Sequence, residues 1–248
     1  MYAPAIRCPI GYCLTDPEGG FAFQPPRTVF STRARPLGMR AIQNCPAVNG
    51  IERQLVEIPS PVGLRLRLAK GPQGGFGIQV VEQGTFMQPD KLQSMLVVQP
   101  PARWRHPKRP VMRLRLPFFL VTDEPCIASQ LPPFLGPSIR RWPGTVVAGR
   151  WPLTLWPQDL AWAFEWDDPA QDLVLKQGEP LCLMLFEFNS PEKRPEMVEA
   201  ALTPELEEYR LGMQGIHHIT DRIEEVWEMA HARRPGRLLV PVAETLDA

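Results

Sequence analysis

Two stretches combine cationic and aromatic side chains in a way that suits ligand capture. "RWRHPKRP" at 103–110 runs on toward Arg113 and Arg115, and "RRWPG" at 140–144 is followed by Arg150 and Trp151. A guanidinium presents a planar fork of donors to a phosphate or carboxylate, and an indole beside it offers a face for stacking. Arg103, Trp104, Arg150 and Trp151, with Trp162 downstream, are therefore the ligand-binding candidates, provided the two stretches converge. Each run also reads as a solvated loop leading into a strand, where arginine discourages edge-to-edge pairing.

Acid–base chemistry would draw on carboxylates near apolar walls, where burial raises the carboxyl pKa. Asp123 and Glu124 follow the apolar run "PFFLV", and Glu165 sits in "LAWAFEW". With His106 they are the catalytic candidates, although carboxylates in such places also form turns and exposed faces. Four histidines are present, and no His-x-Asp/Glu pair falls on a strand-like segment, so no metal ligand set is assigned. The five cysteines (Cys8, Cys13, Cys45, Cys126, Cys182) lack zinc-knuckle spacing and read as reduced, buried thiols. Neither a phosphate-cradling glycine loop nor a G-x-S-x-G elbow is found, and no cofactor is identified.

Proline dominates the question of which elements position these groups. Thirty of the 248 residues are proline, more than twice the usual share of about 5%. Proline removes a backbone donor and clashes with the preceding helical turn, so the segments between prolines are expected to be short strands. "GLRLRLA" and "VMRLRLP" alternate strictly, putting Leu64, Leu66 and Leu68 on one face and Arg65 and Arg67 on the other. "LAWAFEW" sets Trp162, Phe164 and Trp166 opposite Ala161, Ala163 and Glu165; its thin side suits close backbone approach or the lining of a cavity. "LCLMLFEF" is apolar on both parities and predicts a central strand covered on both faces. Between these runs, "KQGEP" reads as a corner in which Gly178 takes a positive φ and Pro180 starts the next strand. The three strands from Leu160 to Phe188 are expected to form an antiparallel meander, and the stretch before about Pro61 an extended wrap.

Beyond Thr203, a plausible N-cap ahead of Pro204, apolar residues recur at three- and four-residue intervals through Tyr209, Met213, Ile216, Ile219, Ile223, Val226, Trp227 and Ala230. Gly212 and Gly215 split or kink this helical stretch. Residues 191–248 carry an acidic excess, and the formal net charge of the whole chain is zero. That balance argues against nucleic acid as a partner. No apolar run approaches the roughly 20 residues that span a bilayer, and no secretory leader opens the chain, which predicts a cytoplasmic protein without membrane attachment.

The motifs "DEPCIASQLPPFL", "WPGTVVAGRWPL", "WAFEW" and "LKQGEPL" resemble an uncharacterised family of bacterial and bacteriophage proteins. That resemblance implies a β-rich domain and supplies no catalytic residues. The segment 144–187 is also faintly similar to the closing strands of the dUTPase and dCTP deaminase β-barrel, but "GRWPLTLW" stands where those enzymes keep the residues that face deoxyribose.

The resulting expectation is a mainly β protein, a β-sandwich or jelly-roll-like barrel of eight to twelve strands. Residues 1–190 would form the β-rich unit, and 191–248 an acidic amphipathic helical segment docked outside it. The functional expectation is a binding or accessory protein whose barrel receives a small molecule, peptide or partner subunit, with self-association left open. The alternative is an enzyme, either a metal-dependent oxygenase-type barrel with an atypical ligand set or a carboxylate-based hydrolase.

Overall fold

The computed structural model describes residues 5–15, 24–29, 45–70, 75–84, 87–135, 142–214, 216 and 222–243. It is mainly β, 44% strand and 21% helix, with a curled half-barrel sheet among several sheets. The first half of the chain holds β1 (Ile6–Leu14), β2 (Arg27–Thr28), α1 (Pro46–Glu52), β3 (Leu55–Pro59), β4 (Leu64–Lys70) and β5 (Phe76–Gln83). It continues through α2 (Pro89–Met95), β6 (Leu96–Val98), β7 (Val111–Val121) and β8 (Cys126–Leu131). The second half holds β9 (Gly144–Val146), β10 (Gly149–Pro152), β11 (Asp159–Trp166), β12 (Leu173–Leu175), β13 (Pro180–Phe188) and β14 (Lys193–Glu199). Two helices follow, α3 (Pro204–Met213) and α4 (Ile223–Arg233).

A six-stranded sheet runs β14-β1-β7-β11-β9, with β6 paired to β7; a five-stranded sheet runs β10-β8-β13-β3-β2, and a three-stranded one β12-β4-β5. Their inner faces share one hydrophobic core, to which β7 contributes Met112, Leu114, Leu116 and Phe118, β11 Trp162, Phe164 and Trp166, and β13 Met184 and Phe186. The predicted faces hold. On β4, Leu64, Leu66 and Leu68 are buried while Arg65 and Arg67 are exposed, and β13 lies between β8 and β3 with its apolar residues covered on both sides. Gly178 does take a positive φ, +79°.

Three expectations are corrected. The consecutive strands β11, β12 and β13 form no meander but enter three different sheets. The bulky face of β11 packs across the core against β13, where the Trp162 indole N–H donates to the Leu181 carbonyl at 2.9 Å; these strands meet face to face and not edge to edge. In the N-terminal stretch read as an extended wrap, the described strands are built into the sheets, while residues 16–23 and 30–44 lie outside the described residues. β1 is inserted between β14 and β7, because Cys8, Ile10 and Cys13 bury completely, and β3 is fully buried in the five-stranded sheet. The described residues contain fourteen strands instead of eight to twelve. One of them, β14, falls inside the stretch read as helical and pairs in parallel with β1.

Helix begins at Pro204. Thr203 caps it, its hydroxyl accepting from the Leu206 N–H at 3.3 Å, and the helical stretch is divided into α3 and α4. Leu206, Tyr209, Met213, Val226 and Ala230 cover Phe119, Val121 and Cys13 on the outer face of the six-stranded sheet. The Tyr209 hydroxyl lies 2.8 Å from the Leu155 carbonyl and 3.2 Å from that of Ala230, so one phenol ties both helices to the β body. No described helix is long and apolar enough to cross a membrane.

Candidate functional site

The outer face of the six-stranded sheet is covered at both ends and open between them. On β7, Arg113 and Arg115 point away from the core, as the alternation of "VMRLRLP" requires. Their cross-strand partners on β11 are Ala163 and Ala161. Two arginines thus stand beside two methyl groups, forming a thin, positively charged floor.

The α3–α4 layer bounds this floor at one end. At the other, Glu165 is buried at 3% exposure and accepts from Arg105 at 3.0 Å and from Arg109 at 3.5 Å, while Arg109 also pairs with Asp167 at 3.2 Å. These contacts fasten the basic loop onto β11. Between the two coverings lies a cleft of about 560 Å³ whose walls are the 147–151 turn with Arg150 and Trp151, the Trp156–Gln158 stretch, and Gln214 at the end of α3. Gln130 closes it toward the five-stranded sheet, its amide 3.5 Å from the Ala161 carbonyl. The volume lies within the roughly 300–1,000 Å³ typical of small-molecule sites.

The cleft is electrostatically unbalanced. Neither Arg113 nor Arg115 has an ion-pair partner among the described residues. The nearby carboxylate, Asp159, is taken by Arg210, which donates to it at 2.9 Å and to Glu207 at 2.8 Å. Arg113 remains open to solvent at the cleft mouth, yet desolvation by the walls lowers its pKa. The charges of Arg115 and Arg103 lower it further, and Asp159 acts in the opposite sense. Arg150 is paired with Glu187 at 3.2 Å. The Trp156 indole N–H is buried with no acceptor among the described residues, and its ring meets Trp227 edge to face at 5.1 Å. Such an orphaned donor costs about 1–3 kcal/mol.

Of the five ligand-binding candidates, Arg150 and Trp151 line this cleft. Arg103 stands beyond its edge and acts on it through charge. Trp104 hydrogen-bonds the Gln99 carbonyl at 2.7 Å and packs on Phe76, and Trp162 is fully buried in the core. Arg140 and Arg141 lie outside the described residues. Trp156 belongs to the tryptophan-dense stretch between Trp142 and Trp166 that reads as a candidate cavity lining, whereas Gln130, Gln158, Asp159 and Gln214 are cleft residues that sequence reasoning did not single out. Arg113 and Arg115 were visible as a basic continuation, but only the register with β11 shows them beside alanines.

The four catalytic candidates are dispersed. Asp123, on the β7–β8 turn, accepts from Arg234 at 2.8 Å and from the backbone N–H groups of Leu238 at 2.8 Å and Leu239 at 3.1 Å, clamping the C-terminal segment. Glu124 accepts from Lys193 at 2.7 Å. Glu165 holds the basic loop, and His106 is exposed within that loop, accepting from the Lys108 N–H at 3.3 Å. No three His, Cys, Asp or Glu side chains gather as a metal site among the described residues, and His217 and His218 lie outside them. All five thiols are free. Burial raises the pKa of Cys13 and of Cys126 to about 12, the reverse of what a nucleophile needs. Comparison with family models, curated proteins and solved structures yields no match.

Proposed function

We propose that this protein is a binding or accessory protein that takes a small anionic organic molecule in the cleft over β7 and β11. The observation that carries the reading is the pair Arg113 and Arg115, held together on one strand face without a counter-carboxylate. Like charges so placed repel each other, and an anionic guest removes the repulsion while gaining charge-assisted hydrogen bonds. The site is therefore put outside the sheets, not within a barrel, since Trp162, Phe164, Trp166, Phe118 and Phe186 fill the interior. A finer architectural assignment, a β-sandwich or jelly-roll-like barrel, belongs to the same proposal and is supported by the shared core between the facing sheets. Binding is favoured over carboxylate hydrolysis because Asp123, Glu124 and Glu165 are each engaged in docking one segment to another.

The test is a thermal-shift screen of small mono- and dianions, followed by titration calorimetry on wild type and on Arg113→Ala/Arg115→Ala. Saturable, salt-weakened binding that the double variant loses supports the reading. Equal responses from both proteins overturn it.

A further inference from the structure

The cleft also constrains which anion it takes. We infer that the guest is a phosphate monoester carried on a flat ring, with the phosphate between Arg113 and Arg115 and the ring over Ala161 and Ala163. This inference rests on the anion-binding reading above and specifies its ligand.

Charge is the first argument. Three arginines and one carboxylate line the cleft. Arg210 bridges Asp159 and Glu207, and Arg150 is held by Glu187, so Arg113 and Arg115 are the cleft guanidiniums that no described carboxylate bonds. A guest that meets both with charge-assisted hydrogen bonds is best served by two negative charges in one small volume. A phosphate monoester carries nearly two above its second pKa of about 6, whereas a carboxylate or a sulfate ester carries one.

Donor geometry is the second. Arg113 and Arg115 leave the same strand face two residues apart, about 7 Å along the chain, and present two planar forks to the same space. A carboxylate can also bridge two arginines, as Glu165 does, but it offers two oxygens where a phosphate offers three, so a phosphate meets both forks with more acceptors.

The third argument concerns the rest of the molecule. Alanine at both cross-strand positions leaves a thin apolar strip beside the arginines, and Trp151 and Trp156 stand in the walls. A flat ring fits such a strip.

Calorimetry with phenyl phosphate, phenyl sulfate and benzoate tests the inference on the full chain. At pH 8, phenyl phosphate is expected to bind about tenfold more tightly than either monoanion, an advantage that narrows toward pH 5 as the phosphate regains its proton. Arg113→Lys/Arg115→Lys, which keeps the charge and removes the forks, is expected to lose most of that preference. Both positions are exposed, and an unchanged melting temperature verifies that the variant folds. Equal affinity for the three ligands overturns the phosphate inference while leaving the anion-binding reading intact. Failure of all three to bind, when another anion binds and the double alanine variant loses it, also overturns the inference alone. Absence of any binding across the wider anion screen overturns both.

Discussion

Asp123 illustrates how a residue with catalytic credentials can be a fastener. Its two carboxylate oxygens collect Arg234 and two backbone N–H groups, so the chain after α4 is held to the β7–β8 turn by one side chain. Asp123→Ala is expected to lower stability by about 1–2 kcal/mol, with solvent exposure reducing the value of the ion pair. Urea unfolding measures this, and trypsin should cut faster after Arg233 and Arg237. An unchanged midpoint and unchanged cleavage would show that the clamp contributes nothing. Residue types were legible in the sequence at this scale, and residue partners were not. Asp123 was conspicuous because it follows an apolar strand, but the N–H groups it satisfies are more than a hundred positions away.

The arrangement of elements depends on close approaches that only a backbone reveals. Gly144 begins β9 directly against β11, where an added Cβ would strike the Glu165 carbonyl and lie 2.9 Å from the Phe164 ring. Gly144→Ala is expected to cost about 2–3 kcal/mol and to weaken ligand binding by displacing the adjoining 147–151 wall. A Cβ added at Gly50 in α1 would meet nothing within 4 Å, so Gly50→Ala should instead stabilise by about 0.5–1 kcal/mol. Denaturant melts of the two variants should move in opposite directions; a shared direction would refute the packing argument. Proline shows what was readable about elements and what was not. Its abundance correctly signalled a chain of short strands, yet Pro46, Pro89 and Pro204 each start a helix, a position where the missing N–H and fixed φ do no harm. Alternation likewise assigned the faces of β4, β7 and β11 but not their partners, and so missed the dispersal of β11 to β13. The thin side of β11 reads equally as a close backbone approach or as a cavity lining, and the arginines beside it come from a strand some fifty residues earlier.

For the molecule as a whole, buried protons make alkali the vulnerable side. Cys13 and Cys126 keep their protons to about pH 12, and burial raises Cys8 and Cys182 as well. Tyr209 is likewise raised to about 12. An unfolded chain releases thiol protons near pH 9, so between 9 and about 12 the folded state binds more protons and stability must fall as pH rises. The slope is at most about 1.4 kcal/mol per pH unit for each group caught between its two values. Guanidinium midpoints should therefore be level between pH 7 and 8 and decline above 9, and a midpoint that holds to pH 11 would contradict the burial of these groups.

Arg210 carries a consequence that reaches beyond its own helix. By bonding Asp159, it keeps that carboxylate from pairing directly with Arg113 and limits its effect there to a weaker charge interaction, so a side chain that no guest need touch helps keep the cleft cationic. Arg210→Met should release Asp159 and weaken anion affinity several-fold in the same titration, with Arg210→Lys recovering part of it. Linkage makes the effect reciprocal: an occupied cleft should slow amide exchange along α3, whereas undocking of that helix would let the binding surface neutralise itself.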